Sequence, residues 1–151
     1  MDTDTRRQNG SGQAPAGPVV MRWSRTARSV GSARRALRRE LEGWGLENLG
    51  DAAELVLSEL VTNAVRHARS PQGRLVETRY ERVGHAVRIE VHDACGTRPV
   101  PCAASVEDEQ GRGLSLVDVL TGGRWGVRAR GGVGKAVWAL IGTAPDVPAV
   151  P

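Results

Sequence analysis

Two polar side chains stand four residues apart in the otherwise largely apolar stretch SELVTNAVRHA, residues 58–68. Glu59 and Asn63 project from the same side of a helix, and Arg66 and His67 lie close to that direction. Burying a carboxylate and an amide without partners costs free energy, so such a patch borders a cleft or a ligand, or else faces solvent. Solvent is the better interpretation for Arg66, while both remain open for Glu59 with Asn63.

A third candidate is Asp93, which ends the strand-like run HAVRIEVHD. A carboxylate at the end of a buried strand can accept a hydrogen bond from an exocyclic amine such as that of adenine. It can equally form an Asx turn with the backbone that follows it. Taken in isolation, the position favours the turn.

The stretch Gly111-Arg112-Gly113-Leu114 opens a short apolar pattern that is typical of a helix. Glycines allow the backbone to approach a ligand closely, and the free N–H groups at the start of a helix bind phosphate. Glycines also cap helices without any ligand, and the chain has 19 of them. This motif is therefore weak by itself.

Two helices are predicted to precede and position these groups. Residues 26–45 carry apolar side chains at steps of three and four, and Gly43 and Gly45 are expected to end that helix. Residues 49–70 carry a broader apolar stripe, which the turn at residues 70–73 should stop. The apolar positions are Val30, Ala33, Leu37, Leu41 and Trp44 in the first segment and Leu49, Ala53, Val56, Leu57, Leu60, Val61 and Ala64 in the second.

Four strand-like runs follow, in two pairs that short turns connect: residues 74–82, 85–93, 124–130 and 135–141. Residues 94–110 have no apolar period, and an irregular loop of this length is more often functional than idle. A short helix through Leu114, Val117 and Leu120 comes next. The order predicts a two-layer α/β sandwich, with a mixed, mostly antiparallel sheet covered on one face by helices.

Composition excludes several classes of protein. An apolar share of 40% suits one globular domain, and no apolar run could span a membrane or act as a secretory signal, so we expect a cytoplasmic protein. Cys95 and Cys102 are too few for a zinc site. The tails, residues 1–18 and the proline-rich residues 143–151, should be unstructured.

The net charge of +4 is concentrated near the N-terminus, where residues 1–40 hold nine arginines against three acidic residues. A basic helix could bind nucleic acid. Without aromatic side chains among the arginines to stack on bases, a solvated helix face is the better interpretation, and no direct DNA binding is expected.

Taken together, in this order and spacing, SELVTNAVRHA, VHDA, GRGLSLV and GKAVWA resemble the GHKL superfamily of ATPases, which includes gyrase and the histidine kinases. Within it they look most like the anti-sigma-factor serine kinases. The resemblance covers roughly residues 20–141. It implies a Bergerat-type ATP-binding domain over residues 19–142, with ATP and Mg²⁺ as its cofactors.

The resemblance also implies roles for particular residues. Asn63 looks like the Mg²⁺ ligand, Glu59 the general base, and Asp93 the acceptor from adenine N6. The phosphate-binding turn would comprise Gly111, Arg112, Gly113 and Leu114, with Gly96 also at the nucleotide and residues 94–110 as its lid.

Two positions depart from the family pattern. Cys95 stands where a glycine commonly follows the aspartate by two places, and Gly96 comes one place later. The final strand begins Gly134-Lys135-Ala136, where many members have glycine followed by threonine. Lys135 is expected to be a solvated lysine on an edge strand rather than a phosphate ligand.

The function implied is an ATP-dependent protein serine/threonine kinase. It would phosphorylate an anti-anti-sigma-like partner, would also sequester a sigma factor, and would form a homodimer. The alternative is a non-catalytic ATP-binding module in partner switching, and a nucleic-acid-binding protein ranks behind both.

Overall fold

The computed structural model describes residues 17–66, 75–93, 111–129 and 135–143. They form five strands, three α-helices and one 3₁₀ turn. In chain order these are β1 (Val19–Ser24), α1 (Ala27–Trp44), the 3₁₀ turn (Glu47–Leu49), α2 (Gly50–Arg66), β2 (Leu75–Val83), β3 (His85–Asp93), α3 (Gly111–Thr121), β4 (Trp125–Ala129) and β5 (Lys135–Thr143).

The strands form one sheet in the order β1-β2-β3-β5-β4, and all four pairings are antiparallel. β2 and β3 form a hairpin around Gly84, whose φ of 63° lies in the left-handed region that glycine adopts without strain. β5 pairs with β3 on one side and β4 on the other. This order places the ends of β3 and β5 side by side at the middle of the sheet.

The helices pack on one face of the sheet. Alternate residues of β3, including Val87, Ile89 and Val91, point to that face and join the buried core with residues of α1 and α2. Their neighbours Glu90 and His92 point to the opposite face. The predicted two-layer α/β sandwich, with a mostly antiparallel sheet and helices on one face, is confirmed.

Helix α1 carries its core on the predicted stripe, which includes Ala33, Leu37 and Leu41. It ends at Trp44, and Gly45 caps it with φ 73°, its N–H bonding to backbone carbonyls of the last turn. Gly43 lies inside the helix rather than ending it. The Tyr80 hydroxyl donates to the Ala33 carbonyl at 2.9 Å and fixes α1 against β2.

Strand β1 is absent from the sequence-based prediction, which starts its first element at residue 26. Val19, Met21 and Trp23 alternate with exposed residues, but six residues with only three facing inwards give a weak period. β5 likewise extends to Thr143, one residue into the predicted C-terminal tail. Most of both predicted tails, the turn at residues 131–134 and His67 lie outside the described residues.

Candidate functional site

A cleft opens between the helices and the ends of the central strands. Residues from five elements line it, so the cleft forms only when these elements pack together. They are Leu60, Asn63 and Ala64 of α2, Val91 and Asp93 of β3, Leu114 of α3, Val127 of β4, and Lys135 and Val137 of β5. Three motifs that are far apart in the sequence therefore meet at one place.

The side walls of the cleft are apolar and its polar groups are few. Leu60 and Ala64 contribute from the helix layer, and Val91 and Val137 are paired across β3 and β5. Asn63, Asp93 and Lys135 supply the polar atoms. A flat aromatic ligand with a polar edge suits such a lining.

Asp93 is the last residue of β3 and is buried. Strand alternation turns it to the helix side together with Val91, while His92 faces the other way. Its Oδ1 accepts a hydrogen bond from Nη2 of Arg25 at 2.8 Å, and the two side chains form an ion pair. Asp93 thus stands at the end of the strand, as the sequence predicts, and lines the cleft.

The expectation for Lys135 is wrong. β5 lies between β3 and β4, so this lysine is not on an edge strand, and it lines the cleft with its side chain half-buried. It pairs with Asp93 across the sheet, and Ala136 turns to the opposite face beside His92. The alternation of Lys135 with Val137, Ala139 and Ile141 indicates that they share one face of β5, but only the order of the strands brings that face to the cleft.

On helix α2, Asn63 lines the cleft and is half-buried. Glu59 lies one turn earlier on the same side of the helix and is also half-buried, but it is not among the residues that line the cleft. Arg66 is exposed at the end of the helix, as the solvent-face interpretation has it. The Asn63 amide thus lines the cleft, whereas the Glu59 carboxylate, one turn earlier, does not.

Helix α3 begins at Gly111, as the glycine-rich turn predicts, and Leu114 reaches the cleft from its first turn. The start of the helix therefore lies near the cleft, where its free N–H groups can meet an anion. The side chain of Arg112 lies outside what the structure describes. So do Gly96, the two cysteines and the predicted lid over residues 94–110.

Arg25 is a site residue that sequence reasoning missed. It follows β1 and precedes α1, at a corner that the helical and strand periods do not cover. Its contact with Asp93 joins two residues that are 68 positions apart. Nothing in the local sequence distinguishes this arginine from its many neighbours of the same type.

The face of the sheet that points away from the helices carries a separate charged network. Burial alone would raise the pKa of Glu90, but hydrogen bonds from His92, Arg88 and Arg128 outweigh it and hold the pKa at about 2. Burial likewise opposes the lowered pKa of Glu77, which Arg79 stabilises as a carboxylate. These groups lie on the opposite side of the sheet from the cleft.

Comparison with known families decides what kind of domain this is. The family model of the histidine kinase-like ATPase domain matches residues 11–139. The chain belongs to this family. The comparison of the chain with curated proteins found no match.

Membership in the histidine kinase-like ATPase family confirms the superfamily predicted from the motifs and supports ATP binding. The family match does not show that the chain belongs to the anti-sigma-factor subfamily. Within the described ranges, no helix combines the length and apolar character needed to cross a membrane.

The residues of the cleft fit the nucleotide that such a domain binds. Asp93 offers an acceptor for an exocyclic amine, and the paired valines offer apolar walls for a base. Among the described residues, no group of three or more His, Cys, Asp or Glu could hold a metal ion. Asn63 lines the cleft and offers an amide oxygen, a hard ligand that a magnesium ion can take together with phosphate oxygens and water.

Proposed function

We propose that this ATPase-family domain is an ATP-dependent protein serine/threonine kinase of the anti-sigma-factor type. The observation that carries the proposal is the meeting of Asn63, Asp93 and the first turn of α3 on one cleft, with Glu59 one helical turn from Asn63. Its substrate is a serine of a small anti-anti-sigma-like partner, and a sigma factor is a second protein that it sequesters.

In this proposal each polar residue of the cleft has one task. Asp93 accepts a hydrogen bond from the adenine N6 amine. The Asn63 amide oxygen ligates Mg²⁺, and the backbone N–H groups from Gly111 to Gly113 bind phosphate oxygens. Positioning and neutralisation of charge are the main requirements of phosphoryl transfer, and these groups supply both.

Glu59 is the proposed general base. The serine hydroxyl oxygen forms a bond to the γ-phosphorus, the bond from that phosphorus to the bridging oxygen of ADP breaks, and the hydroxyl proton passes to the Glu59 carboxylate. No ion pair or hydrogen bond occupies this carboxylate within the described part of the chain. A base is required for transfer but not for binding, so Glu59 separates the two activities.

The test is a transfer assay with the full-length chain, MgATP and candidate anti-anti-sigma-like proteins, read by mass spectrometry for phosphoserine. Wild type should phosphorylate a partner, and Glu59→Gln should lower the rate by roughly 10²–10⁴-fold while ATP binding is retained. A chain that binds ATP but leaves every partner unmodified would remove the kinase proposal.

The position of Glu59 favours a second candidate function. Because this residue does not line the cleft, the domain could act as a non-catalytic module whose bound ATP sets its affinity for a partner. Under that proposal, Glu59→Ala leaves ATP-dependent partner binding intact and Asn63→Ala abolishes it. Loss of ATP-dependent partner binding in Glu59→Ala would instead favour the kinase.

Helix α1 is the proposed partner surface, since its arginines can meet acidic side chains. Two of them also act within the domain: Arg38 Nε lies 2.6 Å and Arg34 Nε 3.6 Å from the carboxylate oxygens of Glu54, which is buried on α2. Charge reversal there would disturb the packing of α1 on α2.

Arg35 and Arg39 are exposed on the same helix and allow a cleaner test. Replacing both with Glu should weaken binding to an acidic partner without lowering ATP affinity. Unchanged partner affinity in that variant would place the interface elsewhere. The proposal also includes a homodimer. Light scattering of the same variant measures whether the dimer forms.

A further inference from the structure

The ion pair between Arg25 and Asp93 is buried on both sides. The distance from Arg25 Nη2 to Asp93 Oδ1 is 2.8 Å, and the exposed fractions of the two side chains are 9% and 4%. Other ion pairs of β1 and β2 have an arginine that water reaches freely. Arg22, for example, pairs with Glu77 at 3.1 Å, but 65% of its side chain is exposed.

The two members of the pair lie differently with respect to the cleft. Asp93 lines it, whereas Arg25 does not. Arg25 follows the last residue of β1, and β2 separates that strand from β3 in the sheet. The guanidinium therefore contacts the carboxylate from outside the ligand space, where it can orient the group without competing for the cleft.

Stability alone gives no reason for this pair. Removing two charges from water costs free energy that their attraction recovers only in part, and apolar replacements of buried pairs are often at least as stable. An acceptor held in one orientation is, however, what directional recognition of an amine requires. A planar guanidinium restrains a carboxylate more tightly than a lysine ammonium does, because its N–H donors have fixed directions.

We propose that Arg25 is a positioning residue for base selection. It holds the Asp93 carboxylate in one orientation, so that this group accepts a hydrogen bond from the 6-amino group of adenine. The inference rests on the proposed ATP binding and adds to it a residue outside the pocket. The corner between β1 and α1 thereby becomes part of the machinery that distinguishes adenine from bases without that amine.

The test compares two ligands, ATP and purine riboside 5′-triphosphate, which lacks the 6-amino group. Titration calorimetry of the full chain with Mg²⁺ gives both dissociation constants. Wild type should prefer ATP by roughly 10- to 100-fold, the range for one hydrogen bond to a charged group. In Arg25→Met the preference should fall to about threefold or less, mainly through weaker ATP binding.

Arg25→Lys guards against loss of folding in the first variant, since it keeps the positive charge. Its preference for ATP should fall at least about threefold below wild type, because the ammonium does not fix the carboxylate as a guanidinium does. Arg22→Met is the matched control. It removes an arginine–glutamate pair from β1, the strand that precedes Arg25, on the other face of the sheet, and should keep the wild-type preference.

The outcomes separate the two levels of the proposal. If wild type binds neither ligand, ATP binding itself fails. If wild type prefers ATP and either Arg25 variant keeps the wild-type preference, Arg25 has no part in base selection and the inference is overturned. Equal weakening of both ligands in Arg25→Met, with the preference unchanged, would overturn it in the same way.

Discussion

At the scale of the residue, Asp93 and Lys135 place an acceptor and a donor beside each other at the ends of β3 and β5. Their backbones are paired in the sheet, and both side chains line the cleft. The lysine also brings a positive charge into the cleft. Its contribution to affinity can be measured directly.

We predict that Lys135→Met weakens ATP binding by roughly 10- to 100-fold, because a charge-assisted hydrogen bond is lost. Titration calorimetry measures the change. Lys135→Arg retains the charge and should stay within about threefold of wild type. Equal affinities for ATP in Lys135→Met and wild type would show that this side chain does not contact the nucleotide.

Asn63 is predicted to couple ATP binding to magnesium. Asn63→Ala removes the amide oxygen, so the affinity for ATP with Mg²⁺ should fall to the value that wild type shows with EDTA. Arg66→Ala, an exposed change on the same helix, serves as the control. A persistent gain in affinity on adding Mg²⁺ to Asn63→Ala would contradict this assignment.

The resemblance of the motifs to a known family assigned Asn63 and Asp93 to one site, and both line the cleft. Arg25 and Lys135 could not be placed in the same way. Arg25 reaches Asp93 only after β1 has paired with β2 and β2 with β3, and Lys135 faces the cleft only because β5 enters the sheet beside β3. Both depend on long-range register, which local periodicity does not contain.

At the scale of the element, the helices and the β2–β3 hairpin follow from periodicity and from one glycine turn. The order of the strands does not follow from periodicity, because alternation within a strand does not indicate which strands lie beside it. That β5 lies between β3 and β4 is known only from the structure. β1 was missed because it is a short edge strand next to a helix start. Local patterns thus predict the elements, and tertiary packing decides their neighbours.

Two glycines offer a contrast between elements. Gly142, the next-to-last residue of β5, has φ 108°, and a Cβ there would lie 2.7 Å from the His85 carbonyl oxygen. Gly142→Ala should therefore lower the free energy of unfolding by at least about 1–3 kcal/mol. Denaturation by urea measures it, and an unchanged midpoint would contradict the close approach of β5 to β3.

Gly43 is the matched control for that experiment. It lies in the last turn of α1, and a Cβ there would meet nothing within 4 Å. Gly43→Ala should raise the free energy of unfolding by about 0.5–1 kcal/mol, because alanine loses less backbone entropy in a helix. Destabilisation by this change would mean that the helix ends earlier than Trp44.

At the scale of the whole molecule, the two faces of the sheet differ in the residues that cover them. Its helix side holds the core and the cleft, and its other side is held by ion pairs. Arg88 bonds Glu90 there and also lies over the ring of Trp138, 5.4 Å from its centroid. The charged face should therefore govern how stability responds to pH.

Glu90 and Glu77 both have lowered pKa values in the folded state, with that of Glu90 at about 2. The stabilisation from Glu90 is complete above the ordinary glutamate pKa of 4.5 and is lost as the pH falls towards about 2, and the stabilisation from Glu77 declines in the same direction as the pH falls below 4.5. The free energy of unfolding should decline across that window. Glu90→Gln should flatten the decline, and Glu42→Gln, at an exposed position, should not. Equal slopes in wild type and Glu90→Gln would contradict the role of the network.

The central claim is that the separated motifs of this ATPase-family domain fold into one site for MgATP. Titration of the intact chain with ATP at millimolar magnesium tests it most directly. We predict saturable binding of one ATP per chain, with Asp93→Ala losing roughly 10-fold or more in affinity. Absence of ATP binding by folded wild-type protein would contradict the claim.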